Sequence, residues 1–386
     1  MPSAERAPHL LHVFSTFAIG GPQTRFATLA NRLGGKYRHT IISLDGDIAC
    51  AGRLDPGIDT QVTTMRLSKG GALHLGNLGR IRRRLAALQP DLLLTYNWGA
   101  IEWALAQRWR PIVRQHVHLE DGFGPDEGAD RQLRRRVLFR RLALGGAARV
   151  VVPSRTLYRI ATETWRLAPG AVQHIANGVD IARFGSPPDP TWARRFGRGG
   201  GGGATIIGSL GVLRAEKNVA RLIRAFAALP TAASARLVVA GDGPEAPALA
   251  ALAAALGVAD RVDFLGSIEQ PERLLGNFDI FALSSDTEQM PYALLEAMAA
   301  GLPVVATDVG DIAAMVAPDN RRFIVPPQDG AGFVARLAEL LASPDRRHAL
   351  GAANRERVGD AFTLDRMVAA YDAVFSDDRS RGPRIA

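Results

Sequence analysis

Short apolar runs alternate with stretches of helical periodicity along the whole chain. In the first half the runs fall at His9–Phe14, His39–Ser43, Asp91–Thr95, Ile112–His116, Arg149–Val152 and Val172–Ile175. In the second half they fall at Thr205–Ser209, Arg236–Ala240, Arg261–Leu265, Asp279–Leu283 and Pro303–Thr307. Between most of them lie segments with apolar residues on a 3.6-residue period, among them Leu73–Leu88, Arg131–Leu144, Val219–Leu229 and Ala246–Leu256. Near-continuous apolar strands separated by helices are the pattern of parallel sheets covered on both faces. A chain of 386 residues holds two such series, which predicts two Rossmann-like α/β domains in tandem.

The boundary between them is written in proline and glycine. Ser186–Pro190 and Gly197–Gly203 bracket a short helical patch, and that density of both residues holds no packed core. We therefore expect an N-terminal domain over residues 1–185, a linker over 186–203 and a C-terminal domain over 204–375. The last helix, Thr363–Phe375, is expected to be free to pack back on the first domain, and 376–386 to form a frayed tail. A glycine tract in such a linker permits hinge motion.

Apolar residues make up 47% of the chain and charged residues 22%, which is the balance of a globular protein rather than a disordered one. No apolar run is long enough to span a bilayer. Leu10–Ile19 holds a histidine and lacks a basic leader, so it reads as a buried first strand and not a signal peptide. A single cysteine, Cys50, excludes an intrachain disulfide, and cytoplasm is the expected compartment. The net charge of +9 is uneven: residues 1–190 carry 26 Lys and Arg against 15 Asp and Glu, and the remainder 21 against 23. The excess clusters at Arg82–Arg84 and Arg134–Arg141. Two readings stand, a solvated helix face or an anionic membrane surface as partner, the latter placing the protein on the inner membrane face. Nucleic acid is disfavoured, because the basic residues are not interleaved with aromatics.

Residues 288–310 carry the densest chemistry. Two carboxylates, Glu288 and Glu296, stand eight positions apart, with Pro291 where a helix should begin and Gly301, Pro303 and a β-branched run beyond. The expected order is strand, loop, helix, strand, with Glu288 in the loop and Glu296 in the second helical turn. A helix N-terminus opening from a loop attracts anions, and carboxylates beside it accept hydroxyl protons. That combination suits a ligand bearing phosphates and sugar hydroxyls.

Other segments add to it. Glu216, Lys217 and Asn218 follow the strand ending near Leu210, and Arg214 precedes them, so two cations stand at a strand's carboxyl end where they can neutralise a diphosphate. Gly20 and Gly21 open the helix after the first strand and let backbone approach a phosphate. They are not G-x-G-x-x-G, which disfavours a dinucleotide site. His116 and His118 close their strand just before Glu120; no third ligand stands at metal spacing, so an active-site role is preferred to zinc. Gly241–Glu245 reads as a tight strand-to-helix connection, and Asn177–Asp180 as a structural turn.

In order, these pieces resemble the GT-B-fold retaining glycosyltransferases of the family 4 type, the group 1 glycosyltransferases. The matching set is Gly20–Gly21, Asn177–Asp180, Gly211 with Glu216–Asn218, Gly241–Glu245, Phe264–Gly266 and Glu288-x7-Glu296 with Gly301 and Pro303. The resemblance covers nearly the whole chain. It implies a GT-B fold, with two Rossmann-like domains whose parallel sheets face across a cleft. It also implies a nucleotide-sugar donor held by the C-terminal domain and a saccharide or lipid-linked acceptor in cell-envelope or exopolysaccharide synthesis. By this resemblance Glu296 would accept from the nucleotide ribose, Glu288 would meet the transferred sugar, and the amides of Gln289, Met290, Pro291 (through its flanking peptides) and Tyr292 would hold sugar and phosphate. Lys217 would bind the diphosphate with Gly21 closing on it, and His118, or secondarily His116, would approach from the acceptor side. Two departures stand out. Val212 occupies a position often held by arginine, which leaves that charge to Arg214, and Gln289 replaces a common glycine.

No carboxylate pair is arranged as in a glycosidase, so retention by same-face attack is expected, with the leaving phosphate taking the acceptor's proton. Lys217 and Arg214 would supply the positive charge without a metal or other cofactor, and domain closure would exclude water. A GT-B epimerase or phosphorylase, or a non-catalytic sugar-nucleotide-binding subunit, is the rival expectation.

Overall fold

The computed structural model describes residues 6–68, 75–108, 110–123, 127–128, 131–145, 149–197, 203–230 and 234–376. The start of the helix expected at Leu73, the glycine tract 198–202 and the tail after Ser376 lie outside the described residues. The chain divides into two compact units: residues up to Ala176 with the segment from Met367, and Asn177–Arg366.

The first unit is built on a parallel sheet of seven strands in the order β3-β2-β1-β4-β5-β6-β7. The strands are β1 His9–Phe14, β2 Arg38–Ser43, β3 Thr60–Thr64, β4 Leu92–Tyr96, β5 Gln115–Leu119, β6 Arg149–Val152 and β7 Val172–His174. β1, β4 and most of β2 are buried on both faces, as a sheet sandwiched by helices requires. On one side Leu11, Val13, Leu93 and Trp103 pack with Ile81 and Leu85 of helix Leu75–Leu88. Another cluster joins Val150 and Val152 to Leu157, Ile160 and Trp165.

The second unit carries a parallel sheet of six strands in the order β10-β9-β8-β11-β12-β13. These are β8 Thr205–Leu210, β9 Ala235–Ala240, β10 Val262–Gly266, β11 Ile280–Leu283, β12 Val304–Thr307 and β13 Ile324–Val325. Ile207, Leu237, Val239 and Ile280 form its core with Leu222, Ile223 and Phe226 of helix Val219–Ala227 and Phe333, Leu337 and Leu340 of helix Gly330–Leu341. Two parallel-sheet, Rossmann-like halves are thus present.

Four expectations change. β3 has no long apolar run because it is a half-exposed edge, and β13 has only two residues. β5 begins three residues later than the apolar run suggested, so His116 and His118 lie inside it instead of closing it. The boundary falls after Ala176, ahead of the expected linker 186–203. Ser186–Pro190 lies within the second unit, flanked by ion pairs from Arg183 to Glu272 at 2.8 Å and from Arg273 to Asp189. The last helix, Leu364–Ser376, contributes its later turns to the first unit, where Asp372 accepts from Lys36 at 2.6 Å and from the Tyr37 hydroxyl at 2.8 Å.

The first unit also buries a run of histidines among the otherwise apolar residues of its central strands. His12 Nε2 lies 3.0 Å from His39 Nδ1, His12 Nδ1 lies 3.0 Å from the Tyr96 hydroxyl, and His9 Nε2 lies 2.8 Å from Thr40 Oγ1. Burial pushes all three below the ordinary imidazole value, His39 to about 4 and His12 well below it; Arg38 adds to the effect at His9, and neighbouring histidines add to it at His12 and His39. Burial and the neighbouring His118 push His116 down to about 3.

The sign of the pH effect follows. These rings are neutral when folded and titrate near 6.5 when unfolded, so only the unfolded chain takes up protons as pH drops below about 6.5. Stability is therefore full above that value and declines on acidification, each ring withdrawing at most about 1.4 kcal/mol per pH unit. Paired carboxylates begin to add to the loss only below about 4 to 5. Thermal unfolding followed from pH 7.5 to 5 should show a falling midpoint, and His39→Gln should flatten the fall. A midpoint constant over that range would contradict the neutral cluster.

Candidate functional site

The order of strands in each sheet reverses once, between β1 and β4 in the first unit and between β8 and β11 in the second. Successive connections cross to opposite faces there and leave a crevice at the strands' carboxyl ends, where ligands bind in such sheets. In the second unit the residues after β8 and after β11 are those singled out by sequence.

Lys217 ends a short 3-10 turn, Ala215–Lys217, and Asn218 follows it in a left-handed conformation at φ 43°, ψ 47°. The Asn218 side chain accepts from the Arg221 amide and so caps helix Val219–Ala227. Its amide group donates to Asp286 at 3.0 Å, and Arg221 donates to the Ser284 carbonyl and to Asp286, both at 2.6 Å. The Asp286 amide donates to the Glu216 carbonyl at 2.8 Å, and Ser284 Oγ donates to the Asn218 carbonyl at 2.9 Å. The turn after β8 is thereby tied to the loop after β11 through backbone and side chains together.

Across that junction Lys217 Nζ lies 2.6 Å from Glu288 Oε1, and Ser285 Oγ donates to the same oxygen at 2.8 Å. The Ser285 carbonyl in turn accepts from Thr307 Oγ1 at 2.6 Å. Glu288 is only 9% exposed in its side chain and Lys217 29%, so their charges attract in a setting that water screens incompletely. Arg214 stands apart: its side chain is 61% exposed and, among the described residues, its ion pair is with Glu216, at 4.0 Å. Gln289 and Met290 are buried and lead to Pro291, which occupies the N-cap of helix Tyr292–Ala299 without supplying a side-chain acceptor. Glu296 lies in the second turn of that helix, half-buried.

Asn177 reads in sequence as a plain turn residue. It is buried, and its amide group donates to the Met290 carbonyl at 2.8 Å, fixing the loop between Glu288 and the helix. Gly310 has a similar function through absence of bulk. It sits at φ 62°, and a Cβ there would lie 2.4 Å from the Glu288 carbonyl and 2.7 Å from that of Gln289. Gly241 is alike: at φ 135° its missing Cβ would fall 1.8 Å from the Gly211 carbonyl, so the loops after β8 and β9 pack backbone to backbone.

The first unit holds the remaining candidates. Gly20 is the extended N-cap of helix Gly21–Leu33, whose first turn carries no acidic residue. Gln23 turns back to donate to the Thr16 carbonyl at 2.9 Å. His116 and His118 share one face of β5, where Thr95 Oγ1 lies 2.9 Å from His116 Nε2 and 2.9 Å from His118 Nδ1. His118 Nε2 lies 3.5 Å from Glu120, and both residues are fully buried. The Glu120 carboxylate accepts only, which places the His118 proton on Nε2; Thr95 then donates to Nδ1 and accepts from His116. An imidazole held at both nitrogens orders the end of β5 and offers no open base.

The basic helix Arg134–Leu144 has two sides. Arg140 is buried and ion-paired to Glu127 at 3.1 Å, with Glu120 at 3.5 Å and the rings of Trp98, Phe123 and Trp165 4.8 to 5.5 Å away. Arg136 also pairs with Glu127. Neither is the solvated charge that the sequence cluster implied. Arg134 and Arg135 do face solvent, beside the exposed Leu138 and Leu142.

Comparison with known proteins agrees with this layout. Residues 19–183 match the model of Glycosyltransferase Family 4, and residues 192–357 match that of Glycosyl transferases group 1. A D-inositol 3-phosphate glycosyltransferase of Thermobispora bispora is 28% identical over 323 residues, 76% of this chain and 74% of that protein. An N-acetyl-alpha-D-glucosaminyl L-malate synthase of Bacillus anthracis is 32% identical over 164 residues, 42% of this chain and only 43% of that protein. Among solved structures, Anabaena Alr3699/HepE in complex with UDP and glucose superposes with a TM-score of 0.80 at 19% identity, covering 96% of this chain and 99% of that one. WaaG, a glycosyltransferase involved in lipopolysaccharide biosynthesis, gives 0.73 at 16% identity, covering 96% and 100%. At these identities the structural likeness establishes the GT-B fold and no more.

Because the Glu288 and Gln289 carbonyls occupy the space a side chain would need, Gly310→Ala should cost about 1–3 kcal/mol of stability and displace the Glu288 loop. Thermal unfolding checks the first effect and nucleotide-sugar titration the second. A variant matching the unaltered protein in both would mean the close approach has no consequence.

Proposed function

The chain belongs to the group 1, family 4 glycosyltransferases, and from that premise we propose that it transfers a sugar from a nucleotide-diphosphate donor to a hydroxyl-bearing acceptor with retention of anomeric configuration. The observation that carries this reading is the Lys217–Glu288 contact at the reversal point of the second sheet. That contact supports the reading because a cation suited to phosphate and a carboxylate suited to sugar hydroxyls lie 2.6 Å apart, the carboxylate in the loop leading to helix Tyr292–Ala299.

In this mechanism Lys217 and Arg214 neutralise the diphosphate, Glu288 accepts from hydroxyls of the transferred sugar, and Glu296 accepts from the ribose. The bond from the anomeric carbon to the phosphate oxygen breaks, and its electron pair stays on the phosphate. Positive charge grows on the sugar ring while the fixed cation and the helix N-terminal amides stabilise the leaving group. The acceptor oxygen bonds to the anomeric carbon on the face that the phosphate leaves, and the acceptor's proton passes to the departing phosphate oxygen. No protein base is needed, which accords with the engaged nitrogens of His118. With the charge supplied by side chains, no metal requirement is expected.

The acceptor we propose is a saccharide or lipid-linked intermediate of envelope glycan synthesis. The names of the relatives add L-malate and inositol phosphate as small hydroxyl-bearing probes. The proposed place of work is the inner membrane face. Among the described residues no helix is long and apolar enough to cross a membrane. Leu138 and Leu142, 65% and 46% exposed and one helical turn apart, instead present an apolar strip beside Arg134 and Arg135. Apolar side chains ringed by arginine suit an anionic bilayer surface.

Two outcomes test this reading. Lys217→Ala should lower turnover about 100-fold or more, since preorganised charge is worth several kcal/mol in the transition state; full transfer by that variant contradicts the assignment. Vesicles containing anionic lipid should co-sediment the protein in a salt-sensitive manner. Replacing Arg134 and Arg135 by Ala should weaken that binding roughly 30-fold, at about 1 kcal/mol per arginine. Binding indifferent to salt and to both arginines removes the membrane from the reading.

A further inference from the structure

At the reversal point of the first sheet, between β1 and β4, stands a residue with strained backbone and a pair of donors that no described residue accepts from. Asn97 follows β4 directly and has φ 56°, ψ −176°, close to a region that is essentially restricted to glycine. The other asparagine with positive φ, Asn218, lies in the far easier left-handed helical region.

The surroundings enforce this geometry. The Asn97 amide donates to the Leu119 carbonyl at 2.8 Å, and the Ala100 amide donates to the Asn97 carbonyl at 3.2 Å. Two residues on, Gly99 is pressed against the residue that follows β1: a Cβ there would lie 2.3 Å from Ser15 Cβ. The Asn97 side chain is equally fixed. Its Oδ1 accepts from the Asp121 amide at 2.7 Å, and Asp121 is itself held by a bidentate pair with the buried Arg25, one arm of it at 2.9 Å. A backbone amide can only donate, so the carbonyl end of the Asn97 side chain faces Asp121 and its NH2 faces the other way. Asn97 is half-buried, and no acceptor on the described residues takes those two N–H groups.

Strain held in place by its surroundings at the carboxyl ends of parallel strands marks a ligand contact. We propose that Asn97 binds the acceptor within the first unit, its NH2 donating to an acceptor oxygen. This deepens, and rests on, the transferase reading above. It makes Asn97 a positioning residue for the acceptor, separate from Lys217 and Glu288, which serve the donor.

Asn97→Gly removes both the strain and the donors. Its melting temperature should equal or exceed that of the unaltered protein, while KM for the acceptor rises at least tenfold and KM for the donor stays within twofold. Asn97→Asp keeps the oxygen facing Asp121 but replaces the donors by a carboxylate oxygen, and should raise acceptor KM further still for an anionic acceptor. A less stable Asn97→Gly variant, or an unchanged acceptor KM in either variant, overturns the proposal. If the unaltered protein transfers to no acceptor tried, the transferase reading fails separately. Asn97 is then judged by saturation-transfer NMR with L-malate and inositol phosphate. A transfer signal that the unaltered protein gives and Asn97→Asp does not supports the proposal. A signal of equal strength from both proteins, or from neither, overturns it.

Discussion

In a parallel sheet the connections after successive strands cover one face until the order of strands reverses, and then they cover the other. The strand ends at that reversal are left without a lid of their own. Both units obey this constraint, and the chemistry follows it. In the second unit the turn after β8 brings Lys217 and the loop after β11 brings Glu288, and they meet. In the first unit the loop after β1 brings Ser15 and the helix N-cap Gly20, while the loop after β4 brings Asn97 and Gly99. No local feature of these loops is sufficient alone. A lysine after a strand is common, as is a carboxylate after a strand, and only the order of pairing makes them neighbours.

Charge is used differently according to burial. Arg140 is removed from water, which costs several kcal/mol unless partners replace the solvent. Glu127, Glu120 and three aromatic faces do so. The Lys217–Glu288 pair is only partly buried, so its strength is intermediate, and either partner can turn to a ligand at modest cost. Arg134 and Arg135, exposed to solvent, contribute little to folding. One helix therefore carries arginines that hold the fold together and arginines whose charge is available to something outside it.

The alternation of apolar runs located eleven of the thirteen strands among the described residues, and both sheets, because buried parallel strands need unbroken apolar stretches. β3 and β13 escaped for the same reason inverted: an edge strand with half its residues wet, and a strand two residues long, need no such run. β5 was displaced because Ile112 and Val113 are apolar without being in the strand; Val113 is buried in a loop held by Gln107. Lys217 and Glu288 were legible as residue types after strand ends, and Glu296 as a carboxylate in the helix that follows. Ser285, Thr307, Asn177 and Asp286, which fix them, were not. Those residues act through backbone carbonyls and single hydroxyls that carry no pattern of their own, and their contacts span separations as large as that from Asn177 to Met290. The basic cluster misled in a similar way, since sequence gives the sign of a charge and not its burial.

The two asparagines with positive φ show how unequal local costs can be. Asn218 adopts the left-handed helical conformation, which asparagine tolerates readily, and its side chain compensates at once by capping a helix and binding Asp286. That geometry stabilises the turn it occupies. Asn97 lies where a non-glycine residue costs on the order of 1–3 kcal/mol. Its side-chain oxygen has a single bond to return, at a net worth of about 1 kcal/mol. Folding alone would favour glycine there, and the chain uses glycine two positions later, where Ser15 leaves no room. The asparagine is thus better explained by what its two remaining N–H groups do than by the stability of the loop that bears them.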